Sequence, residues 1–412
     1  MRLFPNITKL TIPVTPEILA EQVRTGDQTL SYDENRGEHH SILRLQKLRY
    51  LSFEYTFPNG PDPDPIRVLQ ADLSVMWGLV NSNSDNLKCL RVFLMDGPPE
   101  FHTTKLSLST IVSSMIFVFV PPRYFPHSLR LNPLNLKIFQ IGWFPCASVL
   151  SAMGVFRPEI LEVLSLLYCR DAYRLLFNIS TLLTSLKYLQ VVELENDISL
   201  LEGALITLPP LKGLYLSMLK KKQLFYRSLQ RHQESMERLV LVTKASSARL
   251  PKIDSRSRLQ PLGAPPRIID FTAWTELEEL TLHYSADDVP SLCLPRSLKF
   301  LSIVDPKTDG RSETYYDQLL TTYTWQQISG RRRAKWSLKA VIINSALRAP
   351  YDTGQSFKIF EPVLSSESNL QHGSKAMVRA NKLEEVAFYR RFPGTSILRS
   401  NRKPCSWIDI LT

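Results

Sequence analysis

Apolar positions in this chain recur with a fixed spacing: an apolar residue, two others, a second apolar residue, one other, and a third. The most regular sets are Leu136, Phe139, Ile141; Leu161, Leu164, Leu166; Leu186, Leu189, Val191; Leu211, Leu214, Leu216; and Met236, Leu239, Leu241. Their starts lie 25 residues apart. Less evenly spaced sets flank them. Upstream are Ile7, Leu10, Ile12; Leu48, Leu51, Phe53; and Leu87, Leu90, Val92. Downstream are Leu277, Leu280, Leu282; Leu298, Leu301, Ile303; Leu338, Val341, Ile343; and Leu383, Val386, Phe388, which makes twelve sets in all. The second and third members are two residues apart, so in an extended segment they share one face and the residue between them takes the other. Each set therefore predicts a short strand. Between sets, Ala172–Leu182, Ile198–Leu208 and Lys222–Met236 place apolar residues at helical intervals and predict helices.

Units repeated at a fixed period cannot bury their apolar faces alone, so they stack on one another. The chain is therefore read as one continuous solenoid over residues 1–394, followed by a C-terminal cap or tail at 395–412. Insertions are expected near 21–40, 56–65, 245–267 and 348–382, the last with a short helix around Phe357–Leu364. Alternating prolines from Phe57 to Pro65 exclude helix and inner strand, because proline removes the backbone donor and fixes φ.

The segment Leu161-Glu162-Val163-Leu164-Ser165-Leu166-Leu167-Tyr168-Cys169 has leucine at its first, fourth and sixth positions and cysteine at its ninth. In this it resembles the leucine-rich repeat family. The resemblance implies an α/β solenoid, with a curved parallel sheet on the concave face and helices and loops on the convex face. It also implies that the ninth residue hydrogen-bonds the backbone of neighbouring turns. Other sets carry Leu194, Leu219, Lys244, Ser285 or Pro306 at that place, which implies an irregular array. Irregular arrays of this kind resemble the target-recognition half of F-box proteins, which recruit targets to a ubiquitin ligase. Ile12–Val23 faintly resembles the opening of an F-box, but the residues after it are polar and lack that motif's apolar helices and tryptophan. A ligase adaptor is an expected partner only where an F-box lies upstream.

If the pattern leucines point inward, the residues between and just after them face the other side of the sheet. The candidate protein-binding surface is accordingly Trp143, Tyr168, Tyr188, Gln190, Tyr215, His283, Tyr284, Phe300 and Tyr389, extended upstream by Tyr50, Tyr55 and Phe93. Exposed Trp and Tyr dominate binding energy at interfaces. The plainer reading is that these large side chains pack against one another on a sheet. Glu193, Arg238, Glu279, Asp305 and Arg390 lie beside them and are expected to be solvated.

Charge adds a second candidate. The net formal charge is +11. It is concentrated between Lys220 and Arg258, with 11 Lys/Arg against 3 Asp/Glu, and between Arg311 and Thr412, with 16 against 8. Lys220, Lys221, Lys222 and Arg331, Arg332, Arg333, Lys335 form its sharpest clusters. They read as a solvated helix face and loop, then as a nuclear import signal, and last as a nucleic-acid contact, since no nucleic-acid-binding motif accompanies them.

Chemistry is sparse. There is no Gly-rich phosphate loop, no G-x-S-x-G, no H-E-x-x-H and no calcium loop. His39-His40 lacks a third ligand. No cofactor, metal or catalytic residue is expected. Five cysteines without paired spacing suit a reducing compartment. The most apolar stretch, Ile111–Val120, is too short to span a bilayer. The expected location is cytoplasmic or nuclear, away from membranes. The leading reading is a non-catalytic protein–protein interaction scaffold, related by resemblance to F-box ubiquitin-ligase receptors. The alternatives are a basic nuclear or nucleic-acid-associated scaffold and an unrecognised enzyme.

Overall fold

The computed structural model describes residues 9–14, 47–56, 80, 82–95, 133–142, 146, 156–169, 171–192, 198–218, 226–243, 269–283, 292–305, 337–345, 357–362, 377–379, 388, 390–392 and 395. The chain divides into two compact units, Met1–Pro209 and Pro210–Thr412.

In the first unit the strands are β1 (Lys9–Val14), β2 (Tyr50–Thr56), β3 (Cys89–Met95), β4 (Ile138–Gly142), β5 (Val163–Leu167) and β6 (Tyr188–Val192). Each pairs in parallel with the next in sequence. The register sets equivalent pattern positions side by side. Leu51, Leu90, Phe139, Leu164 and Leu189 form one file, and Phe53, Val92, Ile141, Leu166 and Val191 form a second. No member of either file is more than 3 % exposed. The leading residues Leu48, Leu87, Leu136, Leu161 and Leu186 are equally buried. Each such side chain contributes roughly 1.5–3 kcal/mol relative to leaving it in water, which is why the pattern dictates the fold. In β5 both faces are buried, as is usual for parallel strands.

Helices α1 (Ala172–Ile179) and α2 (Ile198–Thr207) fall where the helical spacing places them. Helix α1 buries Ala172, Tyr173, Leu175, Leu176 and Ile179. Helix α2 buries Leu201, Ala204 and Leu205. The absence of a Cβ at Gly203 lets the Phe177 ring of α1 lie against α2; an added Cβ there would stand 2.7 Å from the ring. Between β5 and α1 the chain makes a tight passage through two left-handed residues, Tyr168 (φ 54°) and Asp171 (φ 59°).

The second unit repeats the scheme with β7 (Gly213–Met218), β8 (Arg238–Thr243), β10 (Glu279–His283), β12 (Phe300–Asp305) and β13 (Ala340–Ser345), paired in parallel in that order. A short helix α3 (Tyr226–Gln230) lies between β7 and β8. Strands β9 (Ile269–Asp270) and β11 (Leu292–Cys293) form a separate parallel pair. Leu214, Leu239, Leu280, Leu301 and Val341 again form a buried file, and so do Leu216, Leu241, Leu282, Ile303 and Ile343.

The end of this unit departs from the sequence expectation. Residues Phe357–Pro362, read above as helical, form strand β14, antiparallel to β13 with Ile342 opposite Ile359. Strand β15 (Met377–Arg379) continues antiparallel, so 348–382 contains sheet rather than only an insertion. Phe388, expected to close a twelfth strand, instead sits in a helical turn held by the Phe392 N–H donating to its carbonyl at 2.9 Å. The two-residue alternation Phe357, Ile359 suits a strand, and β13 and β15 supply its partners on either side. The expected insertions at 21–40 and 245–267 lie outside the described residues, as do 57–65 and all of the 395–412 tail beyond Thr395. The fold is thus α/β, with solenoid-like stacking of parallel strands in each unit.

Candidate functional site

Opposite the leucines, each sheet face carries three files. In the first unit these are Tyr50, Cys89, Ile138, Val163, Tyr188; then Ser52, Arg91, Gln140, Ser165, Gln190; then Phe93, Gly142, Leu167, Val192. The middle file is polar yet buried, with Gln140, Ser165 and Gln190 at 0 % and Arg91 at 7 % exposure. Arg91 donates from Nε to Gln140 Oε1 and from Nη1 to the Tyr50 hydroxyl. Its guanidinium lies 5.7 Å from the Tyr50 ring centre and 5.8 Å from that of Phe93. The Phe93 ring is seated on Gly142, where a Cβ would stand 2.5 Å from it. Ser165 Oγ donates to Gln190 Oε1 at 2.9 Å. Between these two groups the Gln140 Nε2 is buried without a hydrogen-bond partner.

The candidate aromatic row is therefore only partly displayed. Tyr168 and Tyr188 are half-buried, as is Tyr50. Gln190, Tyr215 and Phe300 are buried at 0, 3 and 6 %, and Phe93 at 6 %, so these four do not stand open to solvent. For Phe300 the cause is explicit: it meets Phe388 at 6.1 Å and Phe392 at 5.3 Å between ring centres, both in edge-on contact. With Ala340, Ile342 and Ile359 these rings cover the second face of the sheet around β12–β14. Tyr188 and Tyr168 stand at opposite ends of their strands, so the structure does not bring them together. Glu279 is not simply solvated; it is 7 % exposed and faces Arg238 Nε at 4.0 Å. His283 is the last residue of β10. Trp143, Tyr284, Tyr389, Lys220, Lys221, Lys222, Arg331, Arg332, Arg333 and Lys335 lie outside the described residues.

A charged ladder that the apolar pattern conceals emerges beside the strand starts. The residue after the leading apolar position is Arg49, Lys88, Lys137, Glu162 and Lys187 in the first unit, and Lys212, Glu237, Glu278, Lys299 and Lys339 in the second. Within each unit, every carbonyl of this file but that of the last rung accepts two amides from the next rung. The Arg49 carbonyl takes the Lys88 and Cys89 N–H at 2.9 Å each, and that of Lys88 takes Lys137 at 2.8 Å and Ile138 at 3.0 Å. The Lys137 and Glu162 carbonyls do the same for Glu162/Val163 and Lys187/Tyr188. Glu162 bridges two rungs, its carboxylate oxygens 2.7 Å from Lys137 Nζ and from Lys187 Nζ. Those two hydrogen bonds lower its pKa against the opposing effect of partial burial. In the second unit Lys212 pairs with Glu237 at 2.7 Å, and Lys299 pairs with Glu278. A charge at this position in set after set was the sequence signal for the ladder.

The Cys169 thiol, at the ninth position of its set, lies 3.7 Å from the Ile141 carbonyl on the preceding rung. No protein-family model matches the chain, and no curated protein sequence matches it. No group of three or more His, Cys, Asp or Glu able to hold a metal occurs among the described residues. Nor is any helix among them long and apolar enough to cross a membrane.

Proposed function

We propose that the chain is a leucine-rich-repeat scaffold that binds another protein without catalysing a reaction. The observation that carries this reading is the register: equivalent residues of successive strands stand side by side at fixed spacing, as in arrays whose role is to present an extended surface. Half-buried Tyr50 and Tyr188 in the first file, and Tyr168 at the strand exit, supply amphipathic anchors of the kind that dominate protein interfaces. The F-box resemblance makes a ligase target the favoured class of partner. Photo-crosslinking tests the reading: a benzophenone side chain at position 188 or 168 is expected to trap one defined protein from native lysate. The same group at exposed Arg174 on α1 is expected to trap none of it. Equal trapping at all three positions, or none at any, sinks the proposal.

A further inference from the structure

Arg49, Lys88 and Lys137 are three successive rungs of one sign, whereas every other run of three rungs within either unit contains both an acid and a base. We infer that this stretch docks a Glu- or Asp-rich segment of a partner protein, an inference that rests on the scaffold reading above. The paired amides at each rung hold the backbone origins of these cations at the strand spacing of about 4.8 Å. Like charges at facing positions of neighbouring strands repel one another. At four bases of the ladder a carboxylate offsets this: Glu162 serves Lys137 and Lys187, Glu237 serves Lys212, and Glu278 serves Lys299. Arg49 and Lys88 are exposed, and Lys47, two residues before Arg49, is exposed as well.

The ladder also defines the anion it accepts. Glu162 shows one carboxylate spanning two lysines from adjacent strands, with one oxygen on each. A partner's carboxylates would extend that arrangement from Lys137 toward Lys88 and Arg49. A nucleic-acid duplex is the weaker fit, because its affinity grows with the number of phosphates neutralised, whereas these rungs span only about 10 Å.

The test uses the full chain and a fluorescent hexaglutamate peptide, with binding read by anisotropy at low salt. Arg49→Gln with Lys88→Gln is expected to weaken binding at least ten-fold. Lys212→Gln with Lys339→Gln, an equal loss of charge at the same ladder position in the second unit, is expected to leave binding unchanged. Glu162→Gln removes the internal competitor and is expected to tighten binding several-fold, whereas Glu237→Gln, with the same change in net charge, does not. Circular dichroism matching wild type secures each comparison. No peptide binding, equal effects of the two double variants, or tighter Arg49- and Lys88-dependent binding of a single-stranded oligonucleotide of equal charge overturns the inference. Crosslinking from position 188 that persists while the peptide fails to bind would remove the acidic dock alone. Peptide binding that follows this pattern with no crosslinking would instead remove the tyrosine surface and keep the dock.

Discussion

Two glycines illustrate how single residues decide packing here. Both lack a Cβ where an aromatic ring lies, yet the rings differ in freedom. Phe93 is 6 % exposed over Gly142, while Phe177 is 46 % exposed over Gly203. Gly142→Ala is expected to destabilise by about 1–3 kcal/mol, the usual cost of overpacking a confined site. Gly203→Ala is expected to be near neutral, because the Phe177 ring can swing outward and alanine is favoured over glycine by about 1 kcal/mol inside a helix. Urea unfolding of both variants measures the contrast, and equal losses would show that Phe177 is held as firmly as Phe93. Glu162 offers a second test. Its pKa is lowered in the folded state, so the stability it adds is complete above the unfolded carboxylate pKa and is lost as pH falls through the folded value. Glu162→Gln should therefore cost about 1 kcal/mol or less at pH 7. That difference should close in acid, as urea midpoints taken down to low pH would reveal.

At the scale of elements, the strands were legible because their leucines form buried files, and burial of those residues outweighs any local preference of the backbone. Helices α1 and α2 were legible for the same reason. Strand β14 was not, since Phe357, Ile359 and Phe360 fit either a short helix or a strand, and only pairing with β13 decides between them. The candidate surface was read least well. A strand pattern says which residues oppose the leucines but not whether that second face is covered, and around β12–β14 Phe388 and Phe392 cover it. The ladder could have been found by asking which charge follows each leading leucine, a question that apolar periodicity does not raise. The turn into α1 carries a prediction of its own. Tyr168 has no glycine-like freedom at φ 54°, so Tyr168→Gly relieves the left-handed strain while removing the ring. Unfolding free energy should change by less than about 1 kcal/mol, the strain relief offsetting lost packing. If the tyrosine is an anchor, partner crosslinking from position 188 should fall even so.

At the scale of the second unit, its last strands move the open edge of the sheet from β13 to the three-residue β15, and a short edge strand offers little backbone for another chain to pair with. Antiparallel β14 and β15 follow β13, and the Phe300, Phe388 and Phe392 rings seal the adjoining face. Phe388→Ala is expected to destabilise by about 3–5 kcal/mol, the range for removing a fully buried aromatic. It should also raise light scattering at partial denaturation, where sheet edges become available. A variant that loses little stability would mean that the cluster is dispensable. The first unit carries an orphaned donor at Gln140, so Gln140→Leu should be less harmful than Arg91→Leu, which removes the partner of both Gln140 and Tyr50.

The doubled amide contacts of the charged ladder set what this architecture tolerates. Because one carbonyl holds two consecutive N–H groups of the next rung, a strand that slipped by a single residue would keep at most one of them and would turn its leucines to the opposite face. The length of chain between rungs enters no such contact, which is why starts 21 or 49 residues apart can serve the same array. Growth by insertion between rungs is therefore open to this protein, while deletion of one residue within a rung is not.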